Sequence, residues 1–211
     1  MDKVILFDMD RTIFNTNLLI RNIKNLIAST LNISEEKTEK TINNYLSSLP
    51  ENFHFDFSSM LKKFNPTEDT FKNLLSDCQN NSSLYPAYPD TIPTLKLLKR
   101  KGLQIGIFSE GNPQFQLLKF KHMRIEKFTN KDLLFIRKNK KDKKFLNQLP
   151  KDSIIVDDKK EIVEMLSKTG KFNPIQIKRE RNSLKPNIHN QSPYPIISSL
   201  TEILYIPGLF N

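Results

Sequence analysis

The sequence has one cysteine, no tryptophan and only five glycines in 211 residues. A lone thiol, Cys78, cannot close an intrachain disulfide. With no second Cys or His at ligand spacing, it also excludes a structural zinc site. Cys78 falls at helical spacing with Phe71, Leu74 and Leu75, which assigns it to a buried helix face. The three histidines, His54, His122 and His189, stand apart, with no carboxylate or second histidine at ligand spacing, so they are read as surface or hydrogen-bonded core residues. Few glycines and 12 prolines exclude low complexity. No apolar run approaches the ~20 residues of a membrane-spanning helix. The opening MDKVILFDMD reaches two acids within ten residues without a small-residue cleavage site, unlike a signal peptide. A soluble, cytoplasmic protein without a membrane partner is expected.

Positive charge, by contrast, is plentiful. The formal net charge is +10, and between Lys119 and Lys144 eleven Lys or Arg face only Glu126, Asp132 and Asp142. Such a segment is either a solvated surface or a docking site for an anion. Phe120, Phe128 and Phe135 interleave with the charges, the pattern of a single-strand binding surface. Leu133 to Ile136 nevertheless fits a buried strand and Phe128 a core position, so nucleic acid is possible but not favoured.

Val4 to Phe7 is a short apolar run ended by an acid, as expected of a strand buried on both faces of a parallel sheet. LQIGIF (103–108), LLFI (133–136), SIIV (153–156) and PIQI (174–177) are similar runs. Helical patterns separate them, one closing with Lys99, Arg100, Lys101 and Gly102, another running from Glu161 to Lys168 before Gly170. Alternating strands and helices predict an α/β fold with a doubly wound, mainly parallel sheet, that is, a Rossmann-like core. Residues 17–83 interrupt the rhythm. Leu19, Ile23, Leu26, Ile27 and Leu31 recur at helical spacing, and Ser34 and Thr67, each followed by two acids, mark further helix starts. The expected organisation is a core of residues 1–16 and 84–211 with an inserted all-helical cap over 17–83. Asn182 to Pro195 reads as a loop, followed by a short helix around Ile196 to Leu204.

Ligands of open α/β sheets bind beyond the carboxyl ends of the strands. Those ends carry Asp8-Met9-Asp10-Arg11-Thr12, Ser109-Glu110-Gly111-Asn112 and Asp157-Asp158. Carboxylates gathered at one sheet edge repel one another unless a cation neutralises them, and hard oxygen donors favour Mg²⁺.

The runs VILFDMDRT, QIGIFS and SIIVDD occur in this order, and the set resembles the haloacid dehalogenase superfamily over nearly the whole chain. The resemblance implies a Mg²⁺-dependent phosphatase acting on a small phosphorylated substrate through an aspartyl-phosphate. Asp8 is then the nucleophile and Asp10 the general acid and base. Asp8, Asp158, Asp157 and the Asp10 carbonyl hold the metal, while Ser109 and Glu110 stand at the phosphate-binding position. A lysine at the start of the helix before the acid pair completes the set; Lys141 is preferred over Lys140 for both the catalytic and the phosphate-binding role. Two positions depart from the family pattern. Arg11 stands where glycine is common, and either contacts substrate or bridges cap and core. Glu110 replaces a frequent asparagine. Glu161 fits the spacing of a further acid frequent in the family, four residues past Asp157, and either supports the lysine or metal or is simply a first-turn acid of its helix. The same parts serve a phosphomutase, and a polynucleotide-end phosphatase using residues 119–144 is the further alternative. Oligomeric state is left open by the sequence.

Overall fold

The computed structural model describes residues 3–50, 55–179 and 192–209. His54 and His189 lie outside these residues, as does most of the expected loop before Pro195. Six strands form one sheet: β1 (Val4–Phe7), β2 (Gln104–Glu110), β3 (Leu134–Arg137), β4 (Ile154–Asp157), β5 (Asn173–Ile177) and β6 (Ile196–Ile197). Their order is β3-β2-β1-β4-β5-β6 and every neighbouring pair is parallel. Five of the six coincide with the apolar runs read from sequence. β6 falls instead where a helix was expected. Ile196 and Ile197 extend the sheet beside Gln176 and Ile177, and only Leu200–Tyr205 coils, as a 3₁₀ helix.

The side-chain alternation of the strands explains the layers. Ile5 and Phe7, Ile105 and Ile107, and Ile154 and Val156 face one apolar cluster, while Leu6, Phe108 and Ile155 face a second. Both faces are therefore covered, by α5 (Thr91–Arg100), α6 (Pro113–His122), α7 (Lys143–Leu146), α8 (Lys160–Thr169) and the helices described next. Gly106 in β2 is required by close approach, since a Cβ there would lie 2.4 Å from the Leu133 carbonyl oxygen.

Between β1 and β2 the chain is helical: α1 (Thr16–Leu31), α2 (Glu35–Ser47), α3 (Phe57–Lys62) and α4 (Glu68–Asn80), with a 3₁₀ turn at Ser82–Leu84. Ser34 and Thr67 cap α2 and α4 through side-chain oxygens that accept from Lys37 and Thr70 N–H, as their sequence context predicts. Leu74 and Cys78 are buried on α4, and burial pushes the Cys78 thiol up to about 12. The inner faces of these helices join the same apolar cluster as the upper face of the sheet. Phe55 and Phe57 both pack against Phe115 of α6, with ring centroids 5.1 Å apart. His122 stacks on Tyr85 while its ring nitrogens meet Ser82 Oγ and the Gln79 carbonyl. Among the described residues no helix is long and apolar enough to cross a membrane.

Candidate active site

Parallel register sets what meets at the sheet edge. Phe7 pairs with Ile107 on one side and Val156 on the other, so the next residues, Asp8, Phe108 and Asp157, emerge side by side. The Asp8 N–H still donates to the Val156 carbonyl (2.8 Å), which holds the first acid to the end of the sheet. One carboxylate oxygen from each of Asp8, Asp157 and Asp158 lies within 4.8 Å of the others.

Lys140 is the cation inside this group. Its Nζ is 2.5 Å from Asp8 Oδ1 and 2.6 Å from Asp157 Oδ2, and it is almost wholly buried. Its Nζ also lies over the Phe108 ring, 4.8 Å from the ring centroid, and its backbone N–H donates to Glu110 Oε1. Burial opposes its charge, but the two carboxylates outweigh that and hold the lysine above its ordinary range. Lys141 is exposed, its N–H bonded to Asn139 Oδ1. The structure therefore brings Lys140, and not the Lys141 preferred from sequence, to the acids. The cause is local: Asp142 caps α7, which starts only at Lys143, so Lys140 and Lys141 lie in the preceding turn and not in the first helical turn.

One ammonium does not neutralise the cluster. Burial, with Asp157 and Asp10 adding to it, raises Asp8 to about 7 against the pull of Lys140. Burial and then Asp157 raise Asp158 to about 6. An excess of crowded hard oxygen donors is the donor set that suits a divalent cation such as Mg²⁺. Ser109 Oγ, next in line on β2, is buried with no hydrogen-bond partner among the described residues.

Asp10 is separate and fully engaged. Lys119 Nζ reaches both of its oxygens (2.7 and 2.8 Å), Gln116 Nε2 donates to Oδ2 and Thr16 Oγ1 to Oδ1. Burial pushes its carboxyl up, yet Lys119 and these donors prevail and hold it below the usual range. Its side chain keeps 33% exposure. Sequence reasoning missed Lys119, Gln116 and Thr16. The available signal was the i, i+3, i+4 stripe Gln116, Lys119 and Phe120, the buried face of α6.

Arg11 is exposed at φ 57°, the left-handed conformation that favours glycine. The turn requires it because Met9 O accepts from the Thr12, Ile13 and Phe14 N–H groups. Glu110 is tied by Lys159 Nζ at 2.8 Å. Glu161 is exposed in the first turn of α8 and is not among the three clustered acids. Of the segment 119–144, Lys119 and Lys140 are buried, and the other nine basic residues are exposed. Phe120, Phe128 and Phe135 pack into the two apolar clusters.

The family model for haloacid dehalogenase-like hydrolases matches residues 5–144. The chain belongs to this family. A curated relative, a glyceraldehyde 3-phosphate phosphatase from Methanocaldococcus jannaschii, is 31% identical over 120 residues, covering 53% of this chain and 52% of the relative. The match thus spans about half the length of that relative. Among solved structures, a HAD phosphatase from Thermococcus onnurineus superposes with TM-score 0.65 at 23% identity, covering 98% of each chain. A haloacid dehalogenase-like hydrolase from Burkholderia xenovorans gives TM-score 0.68 at 15% identity, covering 99% of this chain and 98% of the other. At these identities the two structures establish the fold.

Proposed function

We propose that this family member is a phosphomonoester hydrolase in which Asp8 attacks phosphorus. The observation that carries the reading is the junction of Asp8, Asp157 and Asp158 around a buried Lys140 at the ends of β1 and β4. The curated relative's phosphatase name supports it.

Asp8, Asp157 and Asp158, with the Asp10 carbonyl, are the residues that would hold Mg²⁺. When bound, the cation supplies Lewis-acid charge that lets a carboxylate approach an anionic ester. Lys140 fixes Asp8 through Oδ1, and Thr12 Oγ1 approaches Oδ2 at 3.4 Å. Lys140 takes the charge-clamping role that Lys141 is too exposed to fill. In the first step an Asp8 oxygen bonds to phosphorus and the ester P–O bond breaks. The leaving oxygen takes a proton from Asp10. In the second, water attacks the aspartyl-phosphate, Asp10 takes its proton, and the Asp8–phosphorus bond breaks to release inorganic phosphate. Asp10 must loosen its Lys119 contact to carry that proton. The unpartnered Ser109 Oγ is the donor for a phosphoryl oxygen. Residues 17–83 act as a cap, since α1, α2 and α3 line one cavity together with Asp10 and the β2–α6 corner, and closure there excludes water.

A small substrate of the cytoplasm suits this arrangement better than nucleic acid, because the aromatics of residues 119–144 are committed to packing. A phosphomutase would use the same parts, but hydrolysis follows the relative's name.

Two measurements test the reading. Turnover of p-nitrophenyl phosphate should vanish with EDTA and return with Mg²⁺, with Ca²⁺ a poor substitute. Asp10→Asn should impair esters of poor leaving groups roughly 10²-fold more than p-nitrophenyl phosphate, whose anion leaves unprotonated. Activity that survives exhaustive chelation removes the metal from the mechanism, and equal losses on both ester types remove Asp10 from proton transfer.

A further inference from the structure

One cavity is not used by the phosphoryl chemistry itself. Beside Asp10, between α1, α2, α3 and the start of α6, lies a space of about 280 Å³. Its walls are aliphatic and aromatic: Ile20 and Ile23 from α1, Ile42 and Leu46 from α2, Met60 from α3 and Phe115 from α6. Its charged lining residues are Asp10, Glu110 and Lys119, and each is already matched. Lys119 is bound to both oxygens of Asp10, and Glu110 is bound to Lys159 Nζ and to the Lys140 N–H. Among the described lining residues no cation is left to meet a second phosphate or a carboxylate. A polyhydroxylated body would press hydroxyls against aliphatic walls that offer them no partner. Thr16, Asn112 and Gln116 also line it: Thr16 Oγ1 and Gln116 Nε2 donate to Asp10, and Asn112 Oδ1 accepts from the Gln114 and Phe115 N–H groups.

We infer that this cavity receives the alcohol of the ester, and that the alcohol is apolar: an arylalkyl or branched alkyl group. The inference rests on the phosphatase reading, because it takes Asp10 as the group that meets the ester oxygen. Size agrees with the chemistry. A dry cavity of about 150 Å³ holds one benzene ring, so this one accommodates a substituted ring or an alkyl chain of similar bulk. Such a pocket discriminates by the apolar contacts that it offers and by leaving polar groups of the wrong substrate unpaired.

The test compares kcat/KM for 2-phenylethyl phosphate, glycerol phosphate and a nucleoside 5′-monophosphate, in the full chain and in Ile20→Glu. The apolar ester should be preferred by about tenfold or more, and Ile20→Glu should narrow that preference by about tenfold. Leu46→Glu, at the exposed rim, serves the same purpose if the Ile20 variant does not fold. A preference for glycerol phosphate or the nucleotide overturns the inference and leaves the phosphatase standing. A second arm needs no turnover: protection from thermal unfolding by 2-phenylethylphosphonate against methylphosphonate. Stronger protection by the phenylethyl compound, weakened in Ile20→Glu, supports the assignment; equal protection overturns it. Absence of turnover on every ester overturns the phosphatase reading, and the phosphonate arm then decides the cavity's ligand class by itself.

Discussion

Two carboxylate sites of this molecule are held in opposite ways. At the sheet edge, Asp8 and Asp157 share one buried ammonium with Asp158 beside them, and burial with mutual repulsion raises Asp8 and Asp158 well above ordinary carboxylates. Asp90, at the start of α5, is the reverse. Its Oδ2 accepts from Arg179 Nη1 (2.7 Å), Ser199 Oγ (2.8 Å) and the Leu200 N–H (2.8 Å). Burial works against it, but Arg179 and these donors hold its carboxyl below the usual range. Arg179 also donates to the Thr12 carbonyl, so this second site pins the chain after β5 and the segment after β6 onto the turn that follows the first acid. One site holds unfavourable negative charge that a cation would relieve; the other spends its acid on stability. A perturbed pKa identifies function only when its sign and cause are read together.

The largest expected break in the comparison is Asp8→Asn. Activity should fall by on the order of 10⁴-fold, the scale of losing a nucleophile. The melting temperature of the chelated protein should hold or rise, since one of the repelling carboxylates is gone. Retained turnover together with a lower melting temperature would make Asp8 a structural acid like Asp90.

Lys140→Ala comes next. It should cost about 10² to 10³-fold in kcat, as for removal of an electrostatic clamp. It should also destabilise the fold by roughly 3 kcal/mol, because Asp8 and Asp157 lose a buried partner. Lys141→Ala should change stability by less than about 0.5 kcal/mol, as expected of an exposed residue, and leave kcat close to wild type. Steady-state kinetics and urea unfolding of the two variants settle the register, and a larger kcat loss at Lys141 would reverse the assignment.

The contrast between the sites also marks what the sequence could reveal. Strands β1, β2, β4 and β5 were legible because a buried parallel strand needs an unbroken apolar run, and the acids ending them were legible because chain connectivity alone places them at one edge. Lys140 was not resolved from Lys141, because a turn outside regular structure has no period to fix which side chain points inward. Lys119 and Gln116 were hidden by distance, since they meet Asp10 across more than 100 residues of chain. The strand at Ile196–Ile197 was misread because two residues carry no periodicity, and its pairing with β5 is a tertiary choice. Arg179 likewise gave no local signal of the turn and the helix start that it joins.

The last expected effect is on stability alone and tests the sign of both sites. Asp90→Asn weakens the acceptor for three donors and should lower stability at neutral pH by about 2 kcal/mol, a fall of roughly 4–8 °C in Tm. Asp90 has a folded pKa below its unfolded value, so its contribution is present above about pH 4 and disappears as pH falls through the folded value. The difference between wild type and Asp90→Asn should therefore begin to shrink only as pH falls below about 4. The sheet-edge acids carry the opposite sign. With folded values near 7 for Asp8 and 6 for Asp158, the folded state binds protons that the unfolded chain does not. Chelated wild type should gain stability as pH falls from about 7.5 toward 5, while saturating Mg²⁺ should remove most of that gain by stabilising the ionised cluster at neutral pH. Thermal unfolding followed by circular dichroism across this range, with and without Mg²⁺, measures both limbs. A chelated protein most stable at pH 7.5 would mean that Lys140 neutralises the acid cluster fully, and a wild-type to Asp90→Asn difference that stays constant as pH falls below about 4 would mean that Asp90 acts through packing and not through its charge.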